Sequence, residues 1–205
     1  GHASLVVAGG MESMSNAPYL SPATRAGARL GHARMLDHMF LDGLEDAYEG
    51  GLMGSFAETC AGAYDFSRAA QDAYAIASLD RARAATEAGI LAAEIAPVTV
   101  TTRKGAATIA TDEQPRNARP EKIPALKPAF ARDGTVTAAN ASSISDGAAA
   151  LVLAADAAAA DRGLPVRARI RGFAGHAQEP GWFTTAPIGA TRKLLDRLGW
   201  RTADV

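Results

Sequence analysis

Two short, wholly apolar runs constrain the fold of this chain more than any other feature: Leu5-Val-Val-Ala8 and Ala148-Ala-Ala-Leu-Val-Leu153. A strand without a polar face belongs inside a sheet covered on both sides, the usual situation in parallel α/β sheets. Gly9-Gly10 closes the first run and reads as a tight turn. The second run follows Asp146-Gly147 and leads into an alanine-rich helix ending at Gly163. Apolar strands followed by helices predict an α/β fold. A loop-rich insertion separates the two runs, from about residue 15 to residue 144. Pro18, Pro22 and several glycines break its first part, where only Ala33 to Leu44 has helix-like spacing. Arg103 to Phe130 is polar and proline-punctuated, which predicts a long ordered loop.

Inside the insertion, Ser55 and Glu58 stand at capping-box spacing, so a helix is expected to start there with Ala57, Cys60, Ala61 and Tyr64 as its apolar stripe. A second helix is predicted from near Ser67, with Ala70, Ala73, Tyr74 and Ala77 on one face and Gly89 as its stop. Val98 to Thr102 alternates as a strand. Further on, Val166, Ala168, Ile170 and Gly172 alternate with Arg167, Arg169 and Arg171, a period of two that predicts a half-buried strand opening a second layer or domain. Pro187 opens a last helix, with Thr191, Leu194, Leu195 and Leu198 inward and Gly199 at its end.

Composition narrows the choice of partners. Lys+Arg of 21 against Asp+Glu of 22 gives no broad attraction for nucleic acid or an anionic membrane. No apolar run approaches the roughly 20 residues that span a bilayer, and no basic-then-apolar signal layout is present, so neither membrane nor export is expected. Cys60 is the single cysteine, which excludes an internal disulfide and a multi-thiolate metal site, and fits a reducing cytoplasm. The phosphate-cradling, nucleophile-elbow and zinc-helix motifs are all absent. Cys60 lies on the apolar stripe, where a thiol behaves as a small hydrophobe rather than an acyl-accepting nucleophile. His2, His32, His38 and His176 have no nucleophile or carboxylate at a compelling spacing, and the three alternating arginines read as a solvated face. In Thr137-Ala-Ala-Asn-Ala-Ser142 small residues would let a ligand approach the backbone, with Asn140 and Ser142 offering hydrogen bonds; a plain turn explains the same residues equally well.

Four strings, read in order, resemble thiolase segments: Leu5-Val-Val-Ala-Gly-Gly-Met-Glu-Ser-Met-Ser15, Leu52-Met-Gly-Ser-Phe-Ala-Glu58, Leu126-Lys-Pro-Ala-Phe130 and Gly134-Thr-Val-Thr-Ala-Ala-Asn-Ala-Ser-Ser-Ile-Ser-Asp-Gly-Ala-Ala-Ala150. The resemblance runs from residue 1 to residue 205 nearly without gaps. It implies an acyltransferase of fatty acid metabolism that moves an acyl group between a cysteine and coenzyme A, condensing two acetyl-CoA or cleaving 3-ketoacyl-CoA. Coenzyme A or acyl-CoA would be the substrate, with no permanently bound cofactor, and the whole protein would be a homo-oligomer, a dimer or tetramer. The implied fold has thiolase-like layered α/β/α halves and an inserted loop domain, incomplete in this chain. Residues 1–14 and 145–164 would belong to the N-terminal half, 15–144 to the CoA-binding and tetramerisation loop domain, and 165–205 to the C-terminal half. By position Met53 would line the acyl and pantetheine pocket and Arg116 would lie near the nucleotide. Phe130, Ala138 and Ala141 would flank the pantetheine, and Ser142 would hydrogen-bond it. Leu52 stands where some biosynthetic members have histidine.

The resemblance also implies what this chain does not carry. In the family one cysteine accepts the acyl group, a histidine activates it, a second cysteine moves a proton, and an N-E-A-F asparagine helps position a water. None of these motifs occurs here, and Cys60 matches none of those positions. The chain is therefore expected to be a segment of a protein about twice its length, inactive alone, with central strands left without neighbours. An alternative of another class is a non-catalytic acyl-CoA or lipid-binding module, or an oligomerisation element built on residues 20 to 45.

Overall fold

A computed structural model describes residues 3–205. In chain order the strands are β1 (Leu5–Ser13), β2 (Tyr19–Leu20), β3 (Leu36–Asp37), β4 (Val98–Thr102), β5 (Gly105–Ile109) and β6 (Asp146–Ala154). The α-helices are α1 (Met53–Ala63), α2 (Arg68–Glu87), α3 (Glu113–Asn117), α4 (Asp156–Asp161) and α5 (Ala186–Leu198). Two compact units divide the chain: Gly1–Phe56 with Ile144–Val205, and Ala57–Ser143.

The first unit is built on the two apolar runs. β1 and β6 pair along their whole length, Leu5 opposite Ala154 through Ser13 opposite Asp146. The pairing is antiparallel, not the parallel arrangement expected of such strands; an all-apolar run looks the same in either direction, and the long excursion between the two allows the chain to return from the opposite end. Gly9-Gly10 is not a turn but mid-strand. A Cβ at Gly9 would lie 2.5 Å from the Ala149 carbonyl oxygen, so the glycine is there for close backbone approach. The Asp146 side chain accepts a 2.9 Å bond from the Ser15 amide. That bond, the largest of several, outweighs desolvation and holds the Asp146 carboxyl below its ordinary range. Both strands are exposed in this chain.

Residues 166–179 form no strand, contrary to the alternation there. Val166 and Ile170 are exposed, and Arg169 pairs instead with Asp156 of α4. Period two needs a partner strand to become a sheet, and none pairs with this segment among the described residues. α5 matches its predicted limits, with Pro187 in the first turn and Gly199 left-handed at φ 65°. Leu194, Leu195 and Leu198 are half-buried, whereas Thr191 is exposed.

In the second unit the buried side chains are Ala61, Asp72, Ile123, Val136 and Thr137. α2 starts where predicted: the Ser67 hydroxyl accepts from the Ala70 amide, and Gly89 adopts φ 68° just past the end. Its inner face is only in part the expected one. Ala77 is half-buried, but Ala70, Ala73 and Tyr74 face solvent, and Arg68, Asp72, Ile76, Leu79 and Arg83 face inward. The predicted loop from Arg103 holds more order than expected: β5 pairs with β4 across the two-residue turn Arg103-Lys104, and α3 and a 3-10 turn at Pro120–Ala125 follow. Gly105, at φ 117°, makes that turn possible.

Candidate functional site

One irregular segment of the second unit runs through Thr135 and Val136 to Ala138, Ala141 and Ser142. Three side chains from two helices hold it, Glu58 by its backbone and Gln71 and Asp72 by its side chains. Glu58, on α1, accepts from the amides of Thr135 (2.9 Å) and Val136 (2.8 Å) and from the Thr135 hydroxyl (3.0 Å). This is not the capping-box role predicted for Glu58: α1 begins two residues before Ser55, so its glutamate is released to the loop. Burial by itself would raise the Glu58 carboxyl, yet the bonds from Thr135 and Val136 prevail and hold it below its ordinary value. Gly134 leaves room for this contact, because a Cβ there would collide with the Glu58 carboxylate.

On α2, Gln71 donates to the Thr135 hydroxyl at 2.9 Å, and Asp72 accepts from the Asn140 amide group at 3.2 Å. Asp72 is buried and compensated by Arg68, whose Nε lies 2.7 Å from it. The same guanidinium donates to the carbonyls of Ile123 (3.0 Å) and Leu126 (2.9 Å). Asn140 closes the loop on itself: its Oδ1 accepts from the Thr137 amide at 2.7 Å, and its Nδ2 also donates to the Thr135 carbonyl at 3.1 Å. Thr137 is fully buried. Asn140 is thus spent on internal bonds and does not face a ligand, which corrects the reading of its residue type. The result is a pinned loop that presents small, accessible residues, with Ala138 and Ser142 exposed and Ala141 half-buried.

Of the remaining candidates, Phe130 and Arg116 belong to the same unit as that loop. Phe130 is half-buried and comes alongside, since the neighbouring Ala129 amide bonds the Val136 carbonyl at 2.9 Å. Arg116 is exposed on α3 and is not brought to the loop. Arg83 fixes its segment, donating to the carbonyls of Pro115 (2.8 Å) and Ala118 (2.6 Å). Arg83 lies eleven residues beyond Asp72, about 16 Å farther along α2 at 1.5 Å per residue. Met53 opens α1 in the other unit. Sequence reasoning missed Glu58, Asp72, Arg68 and Arg83 as organising residues. For Arg68, Asp72 and Arg83 the only signal was polar side chains at i, i+4 and i+15 of α2, outside the expected apolar face.

The other chemically interesting side chains form no centre. Cys60 is half-buried on α1. His38 pairs with Asp42 at 2.9 Å. His176 packs on Gly189 of α5, and its Nε2 lies 3.1 Å from Gln178 Oε1. His32 is exposed, and His2 lies outside the described residues. Among the described residues no cluster of histidine, cysteine and carboxylate side chains could hold a metal, and no helix is long and apolar enough to cross a membrane.

Comparison with known proteins gives consistent matches. The pattern of the family described as thiolase, N-terminal domain, covers residues 1–157. Acetyl-CoA acetyltransferase of Pseudomonas aeruginosa is 48% identical over 202 residues, 98% of this chain and 51% of that protein. Probable acetyl-CoA acetyltransferase of Escherichia coli is 45% identical over 206 residues, all of this chain and 52% of that protein. The solved structure of acetyl-CoA acetyltransferase from Syntrophomonas wolfei superposes with a TM-score of 0.91 at 37% identity, covering 98% of this chain and 51% of the other. The chain spans about half the length of these relatives.

Proposed function

The chain belongs to the thiolase family and has its α/β fold, and from that premise we propose that it is the coenzyme A-holding portion of an acetyl-CoA C-acyltransferase whose reactive thiols lie outside these residues. The observation that carries this reading is the pinned loop from Thr135 to Asn140, held at its backbone by Glu58 and at the Thr135 and Asn140 side chains by Gln71 and Asp72, while Ala138 and Ser142 stay open. A flexible pantetheine arm loses rotational freedom on binding, so a surface that is already rigid and narrow binds it at lower entropic cost. Small side chains allow the arm to lie against the backbone, and the Ser142 hydroxyl offers it a hydrogen bond. Phe130 adds an apolar wall beside the loop. Arg116, on the separately anchored α3, is suited to a phosphate at the nucleotide end. Met53 is the candidate for the acyl end, in the other unit.

In this reading the loop holds the thioester where a cysteine nucleophile can reach it, and the chain itself supplies orientation rather than bond-making. Acetyl-CoA and 3-ketoacyl-CoA are the proposed substrates, the reducing cytoplasm the proposed compartment and a homo-oligomer the proposed assembly. Calorimetric titration with coenzyme A tests the binding assignment. Ser142→Ala should weaken affinity several-fold, in line with the loss of one hydrogen bond worth about 1 kcal/mol. Arg116→Ala should weaken coenzyme A more than it weakens a pantetheine lacking the nucleotide. Unchanged affinity in both variants would refute the assignment. The purified 205-residue chain should not cleave acetoacetyl-CoA; measurable turnover would place the chemistry within these residues.

A further inference from the structure

We propose that Asn140 is a positioning residue for coenzyme A, acting through the backbone of residues 135–139 and anchored from behind by Asp72; the inference rests on the binding role proposed for this loop. The three hydrogen bonds of Asn140 all have consequences for shape. Its oxygen takes the Thr137 amide, while its nitrogen is shared between the Thr135 carbonyl and the Asp72 carboxylate. A single planar amide therefore ties the start and the middle of the 135–139 arc back to position 140 and attaches that arc to α2. No other side chain of this size both accepts one bond and donates two in such a geometry.

Asp72 cannot move to accommodate a change. It is 5% exposed, and its other oxygen is held by Arg68, which is itself fixed on the carbonyls of Ile123 and Leu126. The anchor is thus referred to the 3-10 turn that leads to Phe130. Ala138, Ala141 and Ser142, the residues proposed to meet the pantetheine, lie within two positions of Asn140 in sequence. A shift of the arc moves all three at once. The charged groups on this network are Arg68 and Asp72 of α2 and Glu58 of α1.

The test uses the whole protein and two readouts, calorimetric affinity for coenzyme A and hydrogen exchange at the Thr137 and Ala139 amides. Asn140→Asp keeps the size but sets a second carboxylate against Asp72 and removes both donors. It should weaken coenzyme A about tenfold or more and speed exchange at Thr137 by a similar factor, a size expected for losing buried hydrogen bonds. Amides of α5 should be unchanged, which shows that the protein remains folded. The exchanged pair Asp72→Asn with Asn140→Asp remakes one amide–carboxylate contact with its sides reversed, and should recover part of both losses. No recovery in this double variant overturns the direct link, including the case where Asn140→Asp alone fails to fold. Weaker coenzyme A with unchanged exchange at Thr137 also overturns the proposal, because Asn140 would then act on the ligand directly. Faster exchange with unchanged affinity sinks the positioning role while leaving the binding reading intact, provided Ser142→Ala still weakens coenzyme A. If the unsubstituted protein binds no coenzyme A, the binding reading fails first and this one with it.

Discussion

At position 58 a carboxylate that local spacing assigns to a helix cap binds instead to a loop 77 residues away. The choice follows from bond count: a capping glutamate satisfies one amide, whereas here it takes two amides and a hydroxyl. Bonds to a charged acceptor are the stronger kind, and they favour the ionised form over the protonated one. With its carboxyl held below the ordinary 4.5, Glu58 contributes stability that is fully present above that value and is lost as pH falls through the lowered native value. Glu58→Gln removes this dependence and weakens the grip at neutral pH, by about 1–3 kcal/mol. Acid unfolding followed by circular dichroism should therefore show the unsubstituted chain losing its advantage over Glu58→Gln only as pH falls below about 4.5. Parallel stability curves for the two would mean that the loop does not depend on the charge.

At the scale of elements, α2 shows how far the letters can be read. Its ends are set by neighbours in sequence, and Ser67 and Gly89 announce them. The same local chemistry made Gly163, Pro187 and Gly199 legible. Which face of α2 turns inward depends on the segments packed against it. Apolar periodicity selected Ala70, Ala73, Tyr74 and Ala77, but the inner stripe sets Arg68, Asp72 and Arg83 beside Ile76 and Leu79, because the material to be held includes loop backbone with carbonyls needing donors. Resemblance pointed to the loop residues Ala138, Ala141 and Ser142, and nothing in the letters pointed to the polar spine behind them. β5 was missed for another reason: Gly105-Ala-Ala-Thr-Ile109 is too small and short to announce itself until β4 is there to pair with it. Arg68→Met tests the spine. It leaves Asp72 buried without its cation, and loss of one partner of such a pair costs about 3–5 kcal/mol. Urea unfolding should show a loss of this size, and a double change of Arg68→Met with Asp72→Leu should recover much of it. A loss below about 1 kcal/mol for the single variant would place the ion pair in effective contact with water.

At the scale of the whole molecule, the two apolar strands that most constrain the fold are themselves exposed. Pairing β1 with β6 satisfies one edge of each, and leaves the other edges and both faces open among the described residues. Val7 is 72% exposed, Met11 82%, Leu151 68% and Val152 65%. Val7 and Val152 are cross-strand partners, and Met11 points to the same face as Val7 by the period of two. A contiguous apolar face of this kind, bordered by unpaired backbone, is what other chains join by edge pairing and hydrophobic contact. The 205-residue chain by itself should therefore self-associate at micromolar concentration and bind a hydrophobic dye. Light scattering against concentration measures the first effect, and Val7→Lys with Val152→Lys should reduce it by placing two like charges opposite each other on that face. Because both side chains are exposed, the substitutions leave the β1–β6 hydrogen bonds and the loop network of the second unit in place. A chain that stays near 21 kDa at every concentration, with no dye binding, would mean that the ribbon is covered by a rearrangement of the same polypeptide. Self-association undiminished by the lysines would move the sticky surface elsewhere, with the exposed hairpin of β4 and β5 next in line.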